Sequence, residues 1–368
     1  MTIEHIIPLE DYIQTMQRPF VIAGPCSAES RKQLIDTARS LTGIEKVHML
    51  RAGIWKPRSR PDYFEGVGEI GLDWLCEARD ISGIPVVTEI ANAHHAEVCL
   101  KKGIDAVWIG ARTTVNPFYV QEIADSLKGV DIPVFVKNPV SPDIDLWVGA
   151  LERFYKAGIR KLVAIHRGFT PLKQTIYRNS PMWEQPIELK TRFPHLDILC
   201  DPSHISGNSA LIPELAQKAM DMNMTGLMLE THVNPKAALS DAEQQLTPAE
   251  LKSLLRSLTI RSSRFHDPEL KSRLEEIRKI IDRIDRELLE QFAKRMDLVD
   301  QIGEYKFDNK VTIFQLSRWK NILATRTNYA KKLELSEEFI KKLLQLIHRE
   351  SIKRQTAIMN LRNEDKNN

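Results

Sequence analysis

Four cations stand close together in one short stretch of this 368-residue chain. The segment RAGIWKPRSRP contains Arg51, Lys56, Arg58 and Arg60, and it directly follows the residues VHML. Arginine presents a planar fork that fits a phosphate or a carboxylate, and lysine adds a compact positive charge. The segment is therefore a candidate for anion binding.

Cations recur at the ends of other apolar runs. Arg112, Lys137 and Arg167 each stand at the end of a run, as Arg51 does. Four like charges brought together would repel one another unless an anion lay between them. The pattern predicts a site for a small, highly anionic ligand. For any single position, a charge that simply meets water at a strand end is the ordinary alternative.

A second group of side chains has the chemistry of a metal site. Cys26, His204, Glu230 and Asp241 offer a thiolate, an imidazole and two carboxylates, which suit a divalent metal such as Mn, Fe, Co or Zn. These residues are far apart in the sequence, so the prediction depends on a fold that brings them together. Taken singly, Cys26 is as readily a buried apolar thiol, and His204 a structural residue of the DPSH turn.

Eight apolar runs must position these residues. They are rich in Val, Ile and Leu, as strands buried on both faces are, and amphipathic segments such as SRKQLIDTARSLTG lie between them. Eight such units fit an α/β fold, the (β/α)8 TIM barrel, whose active site lies at the C-terminal ends of the strands. A doubly wound open sheet is the alternative, but no G-x-G-x-x-G follows any run. The runs are PFVIAG, KVHMLRAG, IPVVTEI, DAVWIGA, IPVFVKN, KLVAIHRG, LDILCDPS and TGLMLETH.

The chain changes character after this region. All 19 prolines lie at or before Pro268, and only one of the 16 glycines, Gly303, lies beyond it. We therefore expect a barrel over 1–257, a linker over 258–268 and an all-helical domain over 269–368. The first helix of this all-helical domain is expected to run from about Glu269 to Asp308. A helix of that length is expected to pack against other helices, which can include those of a second chain.

The composition indicates which partners and which cellular compartment to expect. The net charge of +3 comes from nearly balanced acids and bases, which does not favour nucleic acid. No apolar run approaches the roughly 20 residues of a membrane span. The four cysteines form no motif, so we expect a chain without disulfides in the reducing cytoplasm, with no membrane partner.

The motifs at the run ends resemble a known family. GPCS, KPRS, IGART and DPSH, with the Lys-Asn pair after the fifth run, resemble the 3-deoxy-D-arabino-heptulosonate-7-phosphate (DAHP) synthases, in their compact microbial form, over residues 1–255. The resemblance implies a metal-dependent condensation of phosphoenolpyruvate with erythrose 4-phosphate. It implies a metal site of Cys26, His204, Glu230 and Asp241, a phosphoenolpyruvate site of Arg51, Lys56, Arg112, Lys137 and Arg167, and a sugar-phosphate site of Arg58 and Ser59.

Further roles follow from the same resemblance. Lys56 is the expected catalytic residue for proton transfer, with a metal-bound water as the alternative, and Glu89 is expected to orient the attacking water. Arg60 has no role that the family suggests. The nearest rival is 3-deoxy-octulosonate 8-phosphate synthase, but its Lys-Ala-Asn-Arg-Ser run differs from the Lys-Pro-Arg-Ser found here, which favours the four-carbon sugar.

The tail resembles the all-helical chorismate mutases over about residues 270–360. Chorismate is a dicarboxylate, and the resemblance implies that Lys306 and Gln355 are catalytic donors to its breaking ether oxygen. Two residues depart from the family pattern: Gln315 stands where Asp is frequent, and Trp319 where Glu is frequent. The implied chorismate- or prephenate-binding residues are Arg278 (from the partner of an intertwined dimer), Arg295, Lys306, Arg318, Ser351 and Gln355.

Three functional hypotheses follow. The first is a bifunctional enzyme, DAHP synthase and chorismate mutase, whose mutase domain also mediates feedback inhibition in a homo-oligomer. The second makes the tail a largely non-catalytic, dimerising domain that binds prephenate or chorismate. The third is an open-sheet binding protein without catalysis.

Overall fold

The computed structural model describes residues 3–13, 16–44, 46–56, 63–261 and 267–367, with side chains to residue 364. The chain divides into two compact units, Met1–Ser263 and Arg264–Asn368. The predicted domain limits, 1–257 and 269–368 with a linker between them, stay a prediction. No helix of the described ranges is both long enough and apolar enough to cross a membrane.

The first unit is a closed barrel of eight parallel strands. Each strand pairs with the next along the chain, and β8 returns to pair with β1. The predicted (β/α)8 barrel is therefore confirmed, and the open-sheet alternative was wrong. The strands are β1 Phe20–Gly24, β2 Met49–Arg51, β3 Val86–Ile90, β4 Ala106–Ile109, β5 Val134–Lys137, β6 Leu162–His166, β7 Asp197–Cys200 and β8 Gly226–Glu230.

Side chains alternate between the inside and the outside of the barrel, as the two-residue period of a strand requires. Phe20 and Ile22 of β1 belong to an inner cluster with Trp108 of β4. Val21 and Ala23 belong instead to the outer cluster, which includes the buried faces of the surrounding helices. Both faces of the strands are therefore buried, which explains why the runs read as continuously apolar.

Helices follow the strands around the barrel. Ser30 begins α2 by accepting a hydrogen bond from the backbone N–H of Gln33, and the helix ends before Gly43. The helices are α1 Leu9–Tyr12, α2 Arg31–Thr42, α3 Ile70–Ser82, α4 Ala93–Lys102, α5 Ala111–Thr114, α6 Pro117–Ser126, α7 Ile144–Lys156, α8 Glu184–Arg192, α9 Pro202–Ser206, α10 Ile212–Asp221 and α11 Pro248–Ser257. Short 3₁₀ turns span Ser209–Leu211, Pro235–Ala237 and Ala242–Gln244.

The helix α1 packs against the N-terminal end of the barrel interior. Leu9 is fully buried in the inner cluster, and its backbone N–H donates to Asp197 Oδ2 at the start of β7 over 2.8 Å. Access to the interior is therefore expected from the opposite end, where the strands finish.

The second unit consists of three helices, α12 Pro268–Asp308, α13 Leu316–Lys332 and α14 Glu337–Asn367. The long first helix agrees with the sequence-based prediction. α12 approaches α14 closely at Gly303, where a Cβ would lie 3.3 Å from the side chain of Gln355. A glycine is what permits this approach.

Candidate active site

A group of side chains that could hold a metal ion, here called the metal constellation, lies beyond the C-terminal ends of β1 and β8. The Cys26 sulfur, one carboxylate oxygen of Glu230 and one of Asp241 all lie within 4.8 Å of one another. Cys26 Sγ is 3.2 Å from Asp241 Oδ2, and His204 Nε2 is 3.7 Å from Glu230 Oε1. The barrel thus brings together four side chains that are scattered over more than 200 residues of sequence.

The donor set fits a divalent transition metal. Burial and then the Glu230 carboxylate raise the pKa of Cys26 to about 12, although the charges of Lys56 and Arg51 oppose this shift, so the thiol keeps its proton. A bound cation favours the thiolate and offsets the repulsion between neighbouring carboxylates. Asp201 lies behind His204, whose Nδ1 is 2.8 Å from Asp201 Oδ2, as an orienting partner of a ligating imidazole would lie.

A cavity of about 240 Å³ opens beside this constellation. Four of the predicted cations and two of the predicted metal ligands line it. Its lining includes Lys56, Glu89, Arg112, Lys137, Arg167, Arg178, Asn179, His204 and Asp241. A polar cavity with this many positive charges is suited to a phosphorylated or carboxylated ligand.

Arg51 is the last residue of β2 and is only 1% exposed. One of its nitrogens donates to Glu230 Oε1 over 3.1 Å, while Nε and the other terminal nitrogen have no hydrogen-bond partner among the described residues. Burial opposes the charge, but the carboxylates of Glu230 and Asp201 outweigh it and raise the pKa of Arg51. Two unsatisfied buried donors on a charged guanidinium require an acceptor, which an anionic ligand would supply.

Lys137 and Lys56 are each held by an anionic or sulfur partner. Lys137 Nζ donates to Asp201 Oδ2 over 2.9 Å, and burial lowers its pKa. Lys56 Nζ lies 3.0 Å from Cys26 Sγ. Both lysines also line the cavity, where a ligand would meet them.

Arg167 and Arg112 complete the ring of cations. Arg167 donates to Asn179 Oδ1 over 2.8 Å, and its pKa is lowered to about 10, first by burial and then by the like charges of Arg178 and Arg112. Arg112 is exposed on the cavity wall, with no ion-pair partner in the described part of the chain. Like charges this close are stabilised by an anion between them.

Glu89 is fixed at the edge of the cavity. Its Oε2 accepts a hydrogen bond from Trp108 Nε1 over 3.2 Å, and Trp108 also faces the guanidinium of Arg51 at 5.0 Å. A Cβ on Gly110 would lie 2.0 Å from Glu89 Oε1, so the glycine makes room for this carboxylate. The predicted sugar-phosphate residues Arg58 and Ser59, and also Arg60, lie outside the described residues.

The helical unit brings several of its predicted residues together. Arg295 of α12 donates to Ser351 Oγ of α14 over 2.9 Å, and Lys306 donates to the backbone oxygen of Ile313 over 2.5 Å. Gln355 lies on the same face of α14 as Ser351, is 7% exposed, and its Oε1 has no partner among the described residues. Arg295, Ser351 and Gln355 therefore form a polar group where α12 packs on α14.

Arg278 and Arg318 make no hydrogen bond or ion pair with this group among the described residues. Both are exposed, and Arg278 lies 17 residues before Arg295 on the continuous helix α12, a separation of about 25 Å along the axis. Arg278 therefore cannot reach the Arg295 group of its own chain.

Comparisons with known proteins agree with both halves. The sequence model of the DAHP synthetase I family matches residues 10–264. The chain belongs to the DAHP synthetase I family. The model of chorismate mutase type II matches residues 277–356. The chain therefore carries a DAHP synthase barrel and a chorismate mutase helical unit, and it is an enzyme of both kinds.

Individual relatives match the barrel. A phospho-2-dehydro-3-deoxyheptonate aldolase of Thermotoga maritima is 34% identical over 238 residues, which cover 65% of this chain and 68% of the relative. A 2-dehydro-3-deoxyphosphooctonate aldolase of Bordetella petrii is 29% identical, covering 64% of this chain and 89% of the relative. The crystal structure of the Thermotoga maritima DAHP synthase superposes with a TM-score of 0.58 at 32% identity, covering 64% of this chain and 67% of that one.

Sequence reasoning missed the residues that hold the synthase site in shape. Arg178 donates to Asp241 Oδ1 over 2.9 Å and to Gln244 Oε1 over 2.7 Å. Gln244 in turn donates to Glu230 Oε2 over 2.7 Å, and Gln245 accepts from the backbone N–H of Cys26 over 3.1 Å. Arg178 lies in a loop, Gln244 in the 3₁₀ turn Ala242–Gln244 and Gln245 directly after it, so the strand-end rule could not identify them.

Asp241 needs this support. Its backbone has a φ of 50°, the left-handed region that non-glycine residues seldom adopt, although aspartate tolerates it better than most. Arg178 binds Oδ1 of Asp241 while Oδ2 lies 3.2 Å from the Cys26 sulfur, so this contact directs the carboxylate toward Cys26.

Proposed function

We propose that the barrel condenses phosphoenolpyruvate with erythrose 4-phosphate to give DAHP and phosphate. The single observation that carries the proposal is the basic cavity whose lining includes Asp241 of the thiol–carboxylate group and the neighbouring His204. One part of that arrangement suits an anionic substrate, and the other suits a divalent cation beside it.

In this proposal Arg51, Arg112, Lys137 and Arg167 bind the carboxylate and phosphate of phosphoenolpyruvate. The two unpartnered nitrogens of Arg51 and the crowded charges around Arg167 are the features that an anion would satisfy. Arg58 and Ser59 hold the phosphate of the sugar, as their match to the family implies. The cations orient the two substrates and offset their mutual repulsion.

Cys26, His204, Glu230 and Asp241 would hold a divalent Mn, Fe, Co or Zn ion. When bound, such an ion supplies Lewis acidity that polarises the aldehyde oxygen of the sugar. Arg178 and Asp201 keep two of the four ligands in orientation through the contacts described above.

The bond changes follow from the substrates. The C2=C3 π electrons of phosphoenolpyruvate form a bond to the aldehyde carbon. The C=O π electrons move to the aldehyde oxygen, which takes a proton, for which Lys56 Nζ is the proposed source. Water, oriented by Glu89, adds to the electron-poor C2 and loses a proton, which gives a hemiketal phosphate. The C2–O bond to phosphate then breaks while the new hydroxyl loses its proton and C2=O forms. Preorganised charges of this kind lower the barrier by several kcal/mol.

The choice of sugar can be tested directly. An octonate product minus the three carbons of phosphoenolpyruvate requires a five-carbon aldose phosphate, whereas a heptonate requires four carbons. The Lys-Pro-Arg-Ser run supports the four-carbon sugar. We expect phosphate release with erythrose 4-phosphate to exceed that with a five-carbon aldose phosphate, and the reverse ranking would contradict the assignment.

We further propose that the helical unit rearranges chorismate to prephenate. The reaction is pericyclic, so holding the substrate in a folded conformation is the main requirement. Lys306 and Gln355 donate to the breaking ether oxygen, Arg295 and Arg318 bind carboxylates, and Ser351 keeps Arg295 in place. The buried Gln355 side chain beside the Arg295–Ser351 contact supports this assignment.

A dimer completes this site. Five exposed apolar side chains of α12 follow helical spacing and form one stripe: Ile277, Ile280, Ile281, Ile284 and Leu288. A second copy of the chain would cover the stripe, and its Arg278 would reach a site that the first copy's Arg278 cannot. The assembly is proposed to act in the cytoplasm, without nucleic acid or membrane partners.

Feedback is the remaining part of the proposal. Binding of prephenate or chorismate to the helical unit would inhibit the synthase, which is a coupling between two sites. The alternative is a helical unit that binds these ligands but converts little chorismate. Gln315 and Trp319 favour this alternative, because they stand where the family often has a carboxylate side chain.

Two substitutions separate these possibilities. Loss of prephenate formation in Arg278→Ala and Lys306→Ala supports the mutase. Unchanged turnover with lost inhibition supports the purely regulatory unit.

A further inference from the structure

His348 lies in the helical unit, and the proposed catalysis leaves it without a role. It stands three residues before Ser351 and seven before Gln355 on α14, so the three side chains share one helix face. Its Nε2 is buried and has no hydrogen-bond partner among the described residues. Since buried polar atoms are nearly always hydrogen-bonded, this nitrogen marks a position for a ligand atom.

The surroundings of His348 fix its charge and its orientation. Burial, followed by the positive charges of Arg295 and Lys306, lowers its pKa, so the ring is neutral at neutral pH. The indole of Trp319 stacks on the imidazole with ring centres 4.2 Å apart and planes 9° from parallel. Phe314 packs at its edge, with ring centres 5.9 Å apart. A neutral imidazole held between aromatic rings offers one fixed hydrogen-bonding atom to the site.

The chemistry of the ligand identifies the group that this atom fits. Chorismate carries two carboxylates, an ether oxygen and a hydroxyl. The arginines serve the carboxylates, and Lys306 and Gln355 serve the ether oxygen. The hydroxyl is a neutral group that can donate or accept, and a neutral imidazole nitrogen is its natural partner beside those cations.

We propose that His348 Nε2 binds the hydroxyl of the chorismate or prephenate ligand, and that Trp319 is the positioning residue that holds the imidazole in place. The inference rests on the proposed function of the helical unit. It also gives the indole at position 319 a purpose, because the stack requires an aromatic side chain there.

Three variants of the full chain separate hydrogen bonding from packing. His348→Phe keeps an aromatic ring against Trp319 and removes the polar atom. His348→Gln places an amide nitrogen near the former Nε2 position, whereas His348→Asn places one near Nδ1. Gln345→Ala, an exposed polar residue of the same helix, is the matched control.

The readouts are kcat/KM for chorismate and the calorimetric dissociation constant for prephenate. Loss of one buried hydrogen bond predicts roughly a tenfold decrease in kcat/KM and a similar weakening of prephenate binding for His348→Phe and His348→Asn. We expect His348→Gln to recover most of the loss, and Gln345→Ala to match the wild type.

The contradicting results are distinct. Wild-type values for His348→Phe would mean that the ring only packs, and they would overturn the inference while leaving the mutase intact. Failure of the wild-type chain either to convert chorismate or to bind prephenate would overturn the proposed function of the unit and this inference together.

Discussion

The barrel mouth and the helical unit both gather cations for anionic ligands, but they hold them differently. In the barrel, Arg51 and Lys137 are buried against carboxylates from neighbouring strand ends. In the helical unit, Arg278 and Arg318 are exposed, and a stripe of apolar side chains on α12 is uncovered. A closed barrel can complete a charged site from one chain, whereas the three helices would, in the proposed dimer, share theirs with a second copy.

The largest predicted effect separates the two units through the metal constellation. Cys26→Ala should lower DAHP formation on the order of 1000-fold, because the Lewis acid contributes several kcal/mol to the barrier. Chorismate turnover should be unchanged. Phosphate release and chorismate consumption measure the two activities, and Cys76→Ala, on α3 away from the constellation, is the control. Equal loss of both activities would contradict the separation.

The next largest predicted effect is on the free energy of unfolding, through the buried Arg51–Glu230 ion pair. Arg51→Met keeps the volume but leaves Glu230 without its arginine, which should cost about 3–5 kcal/mol of unfolding free energy. Arg31→Met breaks an exposed ion pair with Glu77 and should cost about 0–1 kcal/mol. Urea denaturation compares the two, and similar costs would show that the mouth is no more preorganised than the surface.

A smaller effect concerns the contacts behind the metal ligands. Arg178→Gln should weaken metal binding about 10- to 100-fold, because Asp241 loses the partner that directs it. Absorption on titration with Co²⁺ reports the affinity and the thiolate contact, and Arg153→Gln on α7 serves as the control. An unaltered titration curve would mean that Arg178 acts on the cavity and not on Asp241.

The smallest predicted effect tests whether the helical unit needs a second copy. Ile281→Val removes one methylene from each chain, about 1.6 kcal/mol per dimer, so the dimer should dissociate about tenfold more readily. Sedimentation measures the equilibrium, with Lys279→Ala as the control. A chain that is monomeric before the substitution would remove the proposed role of the partner's Arg278.

The sequence pattern predicted the strands of the barrel and the residues at their ends, but not the site residues that lie between the strands and helices. The eight apolar runs predicted the strands because both faces are buried, and the fold then required Cys26 and Glu230 to meet at one end. Arg178 and Gln244 could not be predicted, because loop residues follow no periodicity. In the helical unit, the four-residue spacing of Ser351 and Gln355 predicts that they share a helix face. No sequence pattern predicts the contact between Trp319 and His348, since their stack depends on how α13 packs on α14.

The central claim is a metal-dependent condensation of phosphoenolpyruvate with a four-carbon sugar phosphate at the barrel mouth. Phosphate release from phosphoenolpyruvate and erythrose 4-phosphate, measured before chelation, after chelation and after adding back Mn²⁺, tests it most directly. We expect release that requires both substrates, disappears with the chelator and returns with the metal. Release that is indifferent to the chelator, or no release with both substrates and metal present, would contradict it.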